Sequence, residues 1–419
     1  MKKTEHGAEL SATTMATLML AVFTVSLGFG IVLPLLPFLI ERLLGVDVAV
    51  VRVSRHTGFL TAVYTFSLFV FAPMWGRLAD RRGPRGVLLL GLLGFGASML
   101  VFSFVESLAA VYTERFLSGL FASAVTPVAA SVIGRFVTTE QGRARRLAFV
   151  SMAGTTGFLL GPMLSAFMSR FAATFFSLAL PAGSVAIPLA ATALLAIVAA
   201  SAVAVVVPSD DGHDRFQKTA DSTTDRTISL VPKLLVLVFI VSAVIGVFEV
   251  GLALRGRQEL GLSPYQIALM FTECSLVMFV TQGLVFSPWF KIEMTRWLIA
   301  PALAVLSVGL FLVPWASNFT LMLVVIGAVA ASAGILSPIL TYWISTQAGS
   351  AQGWELGKQT AITSLGVTLG SAAGGLLYNV AALPGASFIL TAGLAVLGFL
   401  FSQGLSRKLV SPIYRRIGG

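Results

Sequence analysis

Long apolar runs, each ended by a short cluster of charged or turn-forming residues, recur along the whole chain. Twelve can be marked, at 14–40, 58–79, 86–105, 108–134, 146–169, 182–207, 232–254, 264–287, 296–315, 318–346, 358–378 and 384–405. Each is near the ~20 residues that an α-helix needs to cross a bilayer while satisfying its own backbone hydrogen bonds. Nothing alternates with the two-residue period of a membrane β-barrel. The pattern therefore predicts an all-α integral membrane protein with twelve transmembrane helices.

One stretch breaks the rhythm. Residues 208–231 begin Pro-Ser-Asp-Asp-Gly-His-Asp-Arg and stay polar, the composition of a linker. They divide the chain into an N-terminal bundle of six helices (1–207) and a C-terminal bundle of six (232–419). The halves also echo each other. Gln-Gly followed by Gly157-x3-Gly161 opens the fifth run, and Gln-Gly followed by Gly366-x3-Gly370 opens the eleventh. Duplicated halves of this kind place a substrate site near the bilayer midplane, where they meet.

Composition agrees with a bilayer. Of 419 residues, 57% are hydrophobic and 11% charged, against about a quarter charged in a soluble domain. The net charge of +10 first suggests nucleic acid, until the cations are placed. With an even number of spans both termini share one side, and assigning that side to the cytoplasm puts 21 of the 28 Lys and Arg there. Arg42, Arg52, Arg55, Arg170, Arg255 and Arg257 fall outside, and Arg115 within span 4. That bias is the positive-inside rule, so the charge reports topology and gives no separate support for nucleic-acid binding. Cys274 is the lone cysteine; neither a metal-ligand cluster nor a Ser-His-Asp set nor a P-loop can be assembled. The expectation is a non-enzyme with no cofactor or metal. Its partners are lipid, a small molecule and protons, and it acts as a monomer. The N-terminal run is too long for a secretory signal and precedes eleven more.

Residues 76–86 read Gly-Arg-Leu-Ala-Asp-Arg-Arg-Gly-Pro-Arg-Gly between spans 2 and 3. Asp80 can pair with an Arg or with a helix N-terminus such as that of span 11. Gly76 permits close packing, Gly83 with Pro84 sets the turn, and Arg81 and Arg85 offer forked hydrogen bonds. Such a set can latch the cytoplasmic mouth. Span 1 ends Gly28-Phe-Gly-Ile-Val-Leu-Pro34-Leu-Leu-Pro37, so it should kink or loosen there. Span 5 carries Gly157-x3-Gly161-Pro162, small residues that admit a neighbouring backbone, followed by a bend.

The pattern at Gly76, Leu78, Asp80, Arg81, Gly83 and Arg85 resembles the loop between helices 2 and 3 of the major facilitator superfamily of secondary transporters. The span 1 string and Gly157, Gly161 and Pro162 resemble motifs of its twelve-span drug:proton antiporters, although Leu164 and Ser165 replace a common Gly pair. Arg115 with Gly119 resembles the span 4 motif, whose Arg is implicated in proton coupling. The family's frequent acid inside span 1 is missing here, since residues 12–40 hold no charge. The resemblance implies two six-helix bundles about a central cavity.

Ionisable side chains inside spans are costly and tend to face a cavity or a partner. They are Glu114, Arg115, Glu249 and Glu273. A carboxyl in a low-dielectric cavity favours its neutral form, and a neighbouring Arg or a cationic substrate restores the charge. Glu273 is the first choice for this exchange and Glu249 the second, modulated by Arg115; a static Arg–Glu pair is the structural alternative. Glu114 is expected at the outer interface. Phe29, Tyr64, Gln282, Tyr342 and Trp343 are candidates to line a pocket. The implied function is efflux of a small organic, drug-like or lipophilic cationic compound against inward proton flow, at a bacterial inner membrane with both termini cytoplasmic. A metabolite, sugar or siderophore exporter, an uptake symporter or facilitator, and a non-transporting sensor stay open as alternatives.

Overall fold

A computed structural model describes residues 11–45, 48–136, 140–175, 186–207, 230–285, 294–347, 352–380 and 385–409. The linker at 208–229 lies outside them, as does the Asp80 side chain. The described residues are α-helices joined by short turns, and no strand occurs among them. In the first half these are α1 (Ala12–Val32), a 3₁₀ turn (Leu33–Leu35), α2 (Leu36–Leu44), α3 (Val50–Arg82), α4 (Pro84–Phe102), α5 (Leu108–Ala122), α6 (Val125–Phe136), α7 (Glu140–Phe175) and α8 (Ala186–Val206). The second half holds α9 (Val231–Gln258), α10 (Pro264–Val285), α11 (Thr295–Leu312), a 3₁₀ turn (Val313–Trp315), α12 (Phe319–Gln347), α13 (Gln352–Leu377), α14 (Ala386–Ser402) and α15 (Leu405–Lys408).

Eleven apolar helical stretches among the described residues are long enough to span a bilayer, counting Ala12–Leu44 and Leu108–Ile133 as one each. The 17-residue α14 is the twelfth apolar helix. The "far face" here means the end carrying the turns at 45–49, 103–107 and 259–263. The "near face" carries residues 11 and 409.

Three local departures from the hydropathy pattern have physical causes. The predicted kink is a full change of helix type: Pro34 sits in the 3₁₀ turn and Pro37 in the first turn of α2, where a missing N–H costs little. Helix α3 starts at Val50, eight residues before the apolar run. Its polar first turns are tolerated because Ser54 and Thr57 hydroxyls donate back to the carbonyls of Val50 (2.7 Å) and Val53 (2.8 Å). The fourth run splits into α5 and α6 at a turn through Ser123 and Ala124, with Pro127 in the first turn of the new helix.

The glycine pairs dictate how each half packs. A Cβ at Gly157 would strike the Phe23 carbonyl oxygen, and one at Gly161 would lie 2.8 Å from the Leu27 oxygen. So α7 lies backbone to backbone on α1. In the second half, Gly366 meets the Phe239 oxygen (2.9 Å) and Gly370 the Ala243 oxygen, setting α13 on α9. Gly30 meets the Phe158 oxygen (2.7 Å) and Gly246 the Val367 oxygen (2.5 Å). The two pairs of helices therefore cross in one register, the contacts of the first half recurring in the second.

Candidate functional site: a midplane cavity beneath a sealed far face

Between the halves lies a cavity of about 270 Å³, walled by α1, α7, α9, α10, α11 and α12. Its walls are almost entirely apolar. Phe29 of α1 stacks on Phe158 of α7 with ring centroids 5.7 Å apart. Phe248 of α9 and Phe271 of α10 face them across the space. Glu249 of α9 also lines it, and its Oε2 is buried with no hydrogen-bond partner. A buried polar atom left unpaired is rare, and calls for an explanation. Cys274, the single thiol of the chain, lines the same cavity.

Glu249 and Glu273 are both nine residues from the far-face end of their helices, Gln258 and Pro264, or ~14 Å deep at 1.5 Å per residue. Glu249 is deeper than the hydropathy pattern implied because α9 runs on past residue 254. That extension survives because Arg255 and Arg257 both find partners. Of the two carboxyls, Glu249 lines the cavity. Glu273 does not line this cavity; its Oε1 points at α12, 2.8 Å from where a Cβ of Gly327 would stand, and its Oε2 is likewise buried and unpaired.

Arg115 is placed elsewhere. Its Nε donates to Glu114 Oε2 at 2.8 Å and its Nη2 to Glu114 Oε1 at 3.2 Å, and both residues are buried. The guanidinium also sits 4.7 Å from the Phe102 ring centroid and 5.4 Å from that of Tyr64. Glu114 is thus an internal partner, not an outer-interface residue, and Arg115 meets neither Glu249 nor Glu273 among the described contacts. The arginine reaches the cavity only indirectly, through rings: Tyr64 stacks on Phe29 at 5.0 Å.

The remaining pocket candidates divide. Phe29 is in the wall and Tyr64 is one layer behind it. Trp343 is fully buried, donating to Thr295 Oγ1 at 3.2 Å, and Tyr342 packs edge-on against it; these are packing residues. Gln282 is half-buried on α10 and outside the cavity wall. In the loop between α3 and α4, Gly83 has φ +83°, the left-handed region that glycine tolerates. Arg85 donates to the Ala204 carbonyl at the end of α8, a contact within the first half. Arg81 is exposed. Gly76 has open space around a would-be Cβ, so the close packing expected of it is not made in this conformation. Pro162 is buried within α7.

Sequence inspection missed the far-face seal. Arg257 forms an ion pair with Glu41 of α2 at 2.7 Å and lies 4.8 Å from the Phe38 ring centroid. Asn379 donates to Ser54 Oγ, to the Val50 carbonyl (3.2 Å) and to Gln258 Oε1 (3.1 Å). Deeper in, Thr368 Oγ1 donates to Thr65 Oγ1 at 2.9 Å. A Cβ on Gly58 would lie 2.7 Å from the Gly375 Cα. A signal for the shared register was present: Phe23-x-Val25-Ser26-x3-Gly30 matches Phe239-x-Val241-Ser242-x3-Gly246.

Comparison with known proteins agrees with this geometry. The chain is 26% identical to Multidrug resistance protein 2 of Bacillus subtilis, covering 88% of this chain and 89% of the relative. It is 25% identical to Quinolone resistance protein NorA of Staphylococcus aureus, over 86% and 88%. Its fold is similar to the crystal structures of the human organic anion transporter MFSD10 (TM-score 0.72, 21% identity, covering 93% and 99%) and of a D-xylose-proton symporter (TM-score 0.75, 14% identity, 94% and 98%). The Major Facilitator Superfamily model matches residues 18–354. Eleven membrane-length apolar helices and a shorter twelfth among the described residues, a cavity between the halves and that match lead to one conclusion: the chain belongs to the Major Facilitator Superfamily and is a multi-pass membrane transport protein.

Proposed function

We propose that the protein exports small lipophilic organic cations in exchange for protons, by alternating access. The observation that carries the reading is the unpaired Glu249 carboxyl oxygen in a mostly apolar cavity. Among the described residues its lining holds no other ionised group, and only the Thr155 and Ser275 hydroxyls and the Cys274 thiol as polar groups. An isolated carboxylate is costly in such a place. Either a proton or a cationic ligand removes the cost, so one carboxyl can serve both in turn. The Phe29 and Phe158 rings suit the apolar or aromatic body of the ligand. The names of the bacterial relatives support drug efflux.

Under the positive-inside rule the near face is cytoplasmic, so the sealed far face shuts the cavity from the outside. The protein then works as a monomer in a bacterial inner membrane, with both termini cytoplasmic, and the two halves rock against each other. Glu273, whose Oε2 is also buried without a partner, is a second proton site.

The test is proton release from purified protein on adding tetraphenylphosphonium. Wild type releases protons near neutral pH. Glu249→Gln abolishes release and weakens binding by about tenfold, the ~1.4 kcal/mol expected for a lost charge interaction. Release that persists in both Glu249→Gln and Glu273→Gln sinks the reading.

A further inference from the structure

A second cavity, of about 610 Å³, opens at the far face between the start of α3 and the ends of α9, α13 and α14. It is larger than the midplane cavity and separate from it, and no step of the transport reading uses it. One wall is an ordered polar cluster. Arg255 is buried: Nη2 donates to the carbonyls of Pro314 (2.8 Å) and Ala316 (2.9 Å), Nη1 to Glu259 Oε2, and Nε has no partner. Tyr378 donates its hydroxyl to Glu259 Oε1 at 2.5 Å. Glu259 is thereby held from two sides, yet its side chain is 43% exposed. What an incoming molecule meets is this carboxylate, since Arg255 stands behind it at 5% exposure.

The rest of the lining is mostly apolar. Trp315 is 55% exposed and packs against Phe311 with ring centroids 4.6 Å apart, and Val50, Val51, Pro314, Val380 and Ile389 line the cavity with it. A fixed carboxylate beside an exposed indole is the donor-seeking, π-rich pair that recognises an organic ammonium. Arg52 is exposed on the same turn as Val51 and, as a like charge at the rim, it weakens the attraction for a cation without standing in the lining.

We propose that this far-face cavity binds a protonated alkyl- or arylalkylamine, its ammonium on Glu259 and its apolar body on Trp315. The site spans both halves, because Val50 and Val51 belong to the first and the other walls to the second. Asn379, in the same lining, is also the residue that ties α13 to Ser54 and Val50. An occupant therefore favours the sealed far face and slows the cycle from a place remote from Glu249. The inference is independent of proton coupling at the midplane. A primary ammonium is also the headgroup of phosphatidylethanolamine, so the occupant in a membrane is either a free amine or that lipid.

The experiment measures binding of 4-phenylbutylammonium to the full-length protein in phosphatidylglycerol nanodiscs by calorimetry. It is run beside the neutral 4-phenylbutanol and the anionic 4-phenylbutyrate. In the Glu249→Gln background, which removes the charge of the midplane cavity, the amine binds at least tenfold more tightly than either, and adding Glu259→Gln or Trp315→Ala weakens it by about tenfold. Because Glu259→Gln also loosens Arg255, the Trp315 variant and the neutral analogue are the independent arms. Equal binding of amine and alcohol, or unchanged affinity in both far-face variants, overturns the proposal. Adding phosphatidylethanolamine to the nanodisc distinguishes the sources: competition with the amine identifies the lipid headgroup as occupant, and undiminished binding identifies the free amine.

Discussion

Buried carboxylates in this chain have two fates, and what stands beside each decides which. Glu114 has Arg115 in forked contact, under the Tyr64 and Phe102 rings. That pair is structural glue. Arg115→Ala leaves Glu114 buried without its partner and should cost ~3–5 kcal/mol, read as a large fall in melting temperature in nanodiscs. The Glu114→Gln/Arg115→Met double variant should recover most of it. A double variant as unstable as the single one contradicts this assignment. Glu249 has no such partner, and its neighbour in the wall is Cys274. Being the sole cysteine, Cys274 is a built-in reporter. Tetraphenylphosphonium should slow its labelling by N-ethylmaleimide several-fold in the wild type and not in Glu249→Gln. These residues were only half legible in the sequence. An acid within an apolar run announces itself by cost, but which acid faces the cavity depends on helix rotation. Glu249 lines the cavity and Glu273 points at α12, a difference of orientation that no composition reveals. Phe158 and Phe271 could not be picked from 31 phenylalanines, since any of them can face lipid.

At the scale of helices, close approach is written in small residues where backbones touch. Gly370 has the Ala243 carbonyl where a Cβ would go. Gly370→Ala should therefore destabilise by about 1–3 kcal/mol through overpacking, seen as a lower melting temperature. Gly76 and Gly86 face open space, so Gly76→Ala should leave stability within ~0.5 kcal/mol. A large loss there would show that Gly76 is packed after all. The Gly-x3-Gly strings were legible because membrane helices meet through small residues, and so were the number and type of elements, because the bilayer fixes length and hydropathy. Helix ends were less so. The first two turns of α3 and the last turn of α9 are polar, held by hydroxyl-to-carbonyl bonds and by ion pairs to distant segments, which a local window cannot see. Position also carries an asymmetry. In the shared register of α1 and α9, Glu249 falls where the first half has Leu33, the start of the 3₁₀ turn. One half breaks its helix at that level and the other places its charge there.

For the whole molecule, the described polar contacts between halves gather toward the far face. Each exposed or neutral contact of this kind contributes about 0.5–1.5 kcal/mol. Together they amount to a few kcal/mol, the range that differential ligand binding can overturn. Thr65→Cys/Thr368→Cys, built on Cys274→Ser, should form a disulfide across the 2.9 Å hydroxyl contact. Oxidation should stop transport and reduction restore it; full activity of the cross-linked protein would mean that the seal need not open. The crossing of Gly58 and Gly375 bears on how it opens. Two helices that meet at bare Cα atoms leave no room for a side chain between them. On the alternating-access proposal, a bulky residue at either position should wedge the halves apart there and block closure of the far face without touching a single charged group.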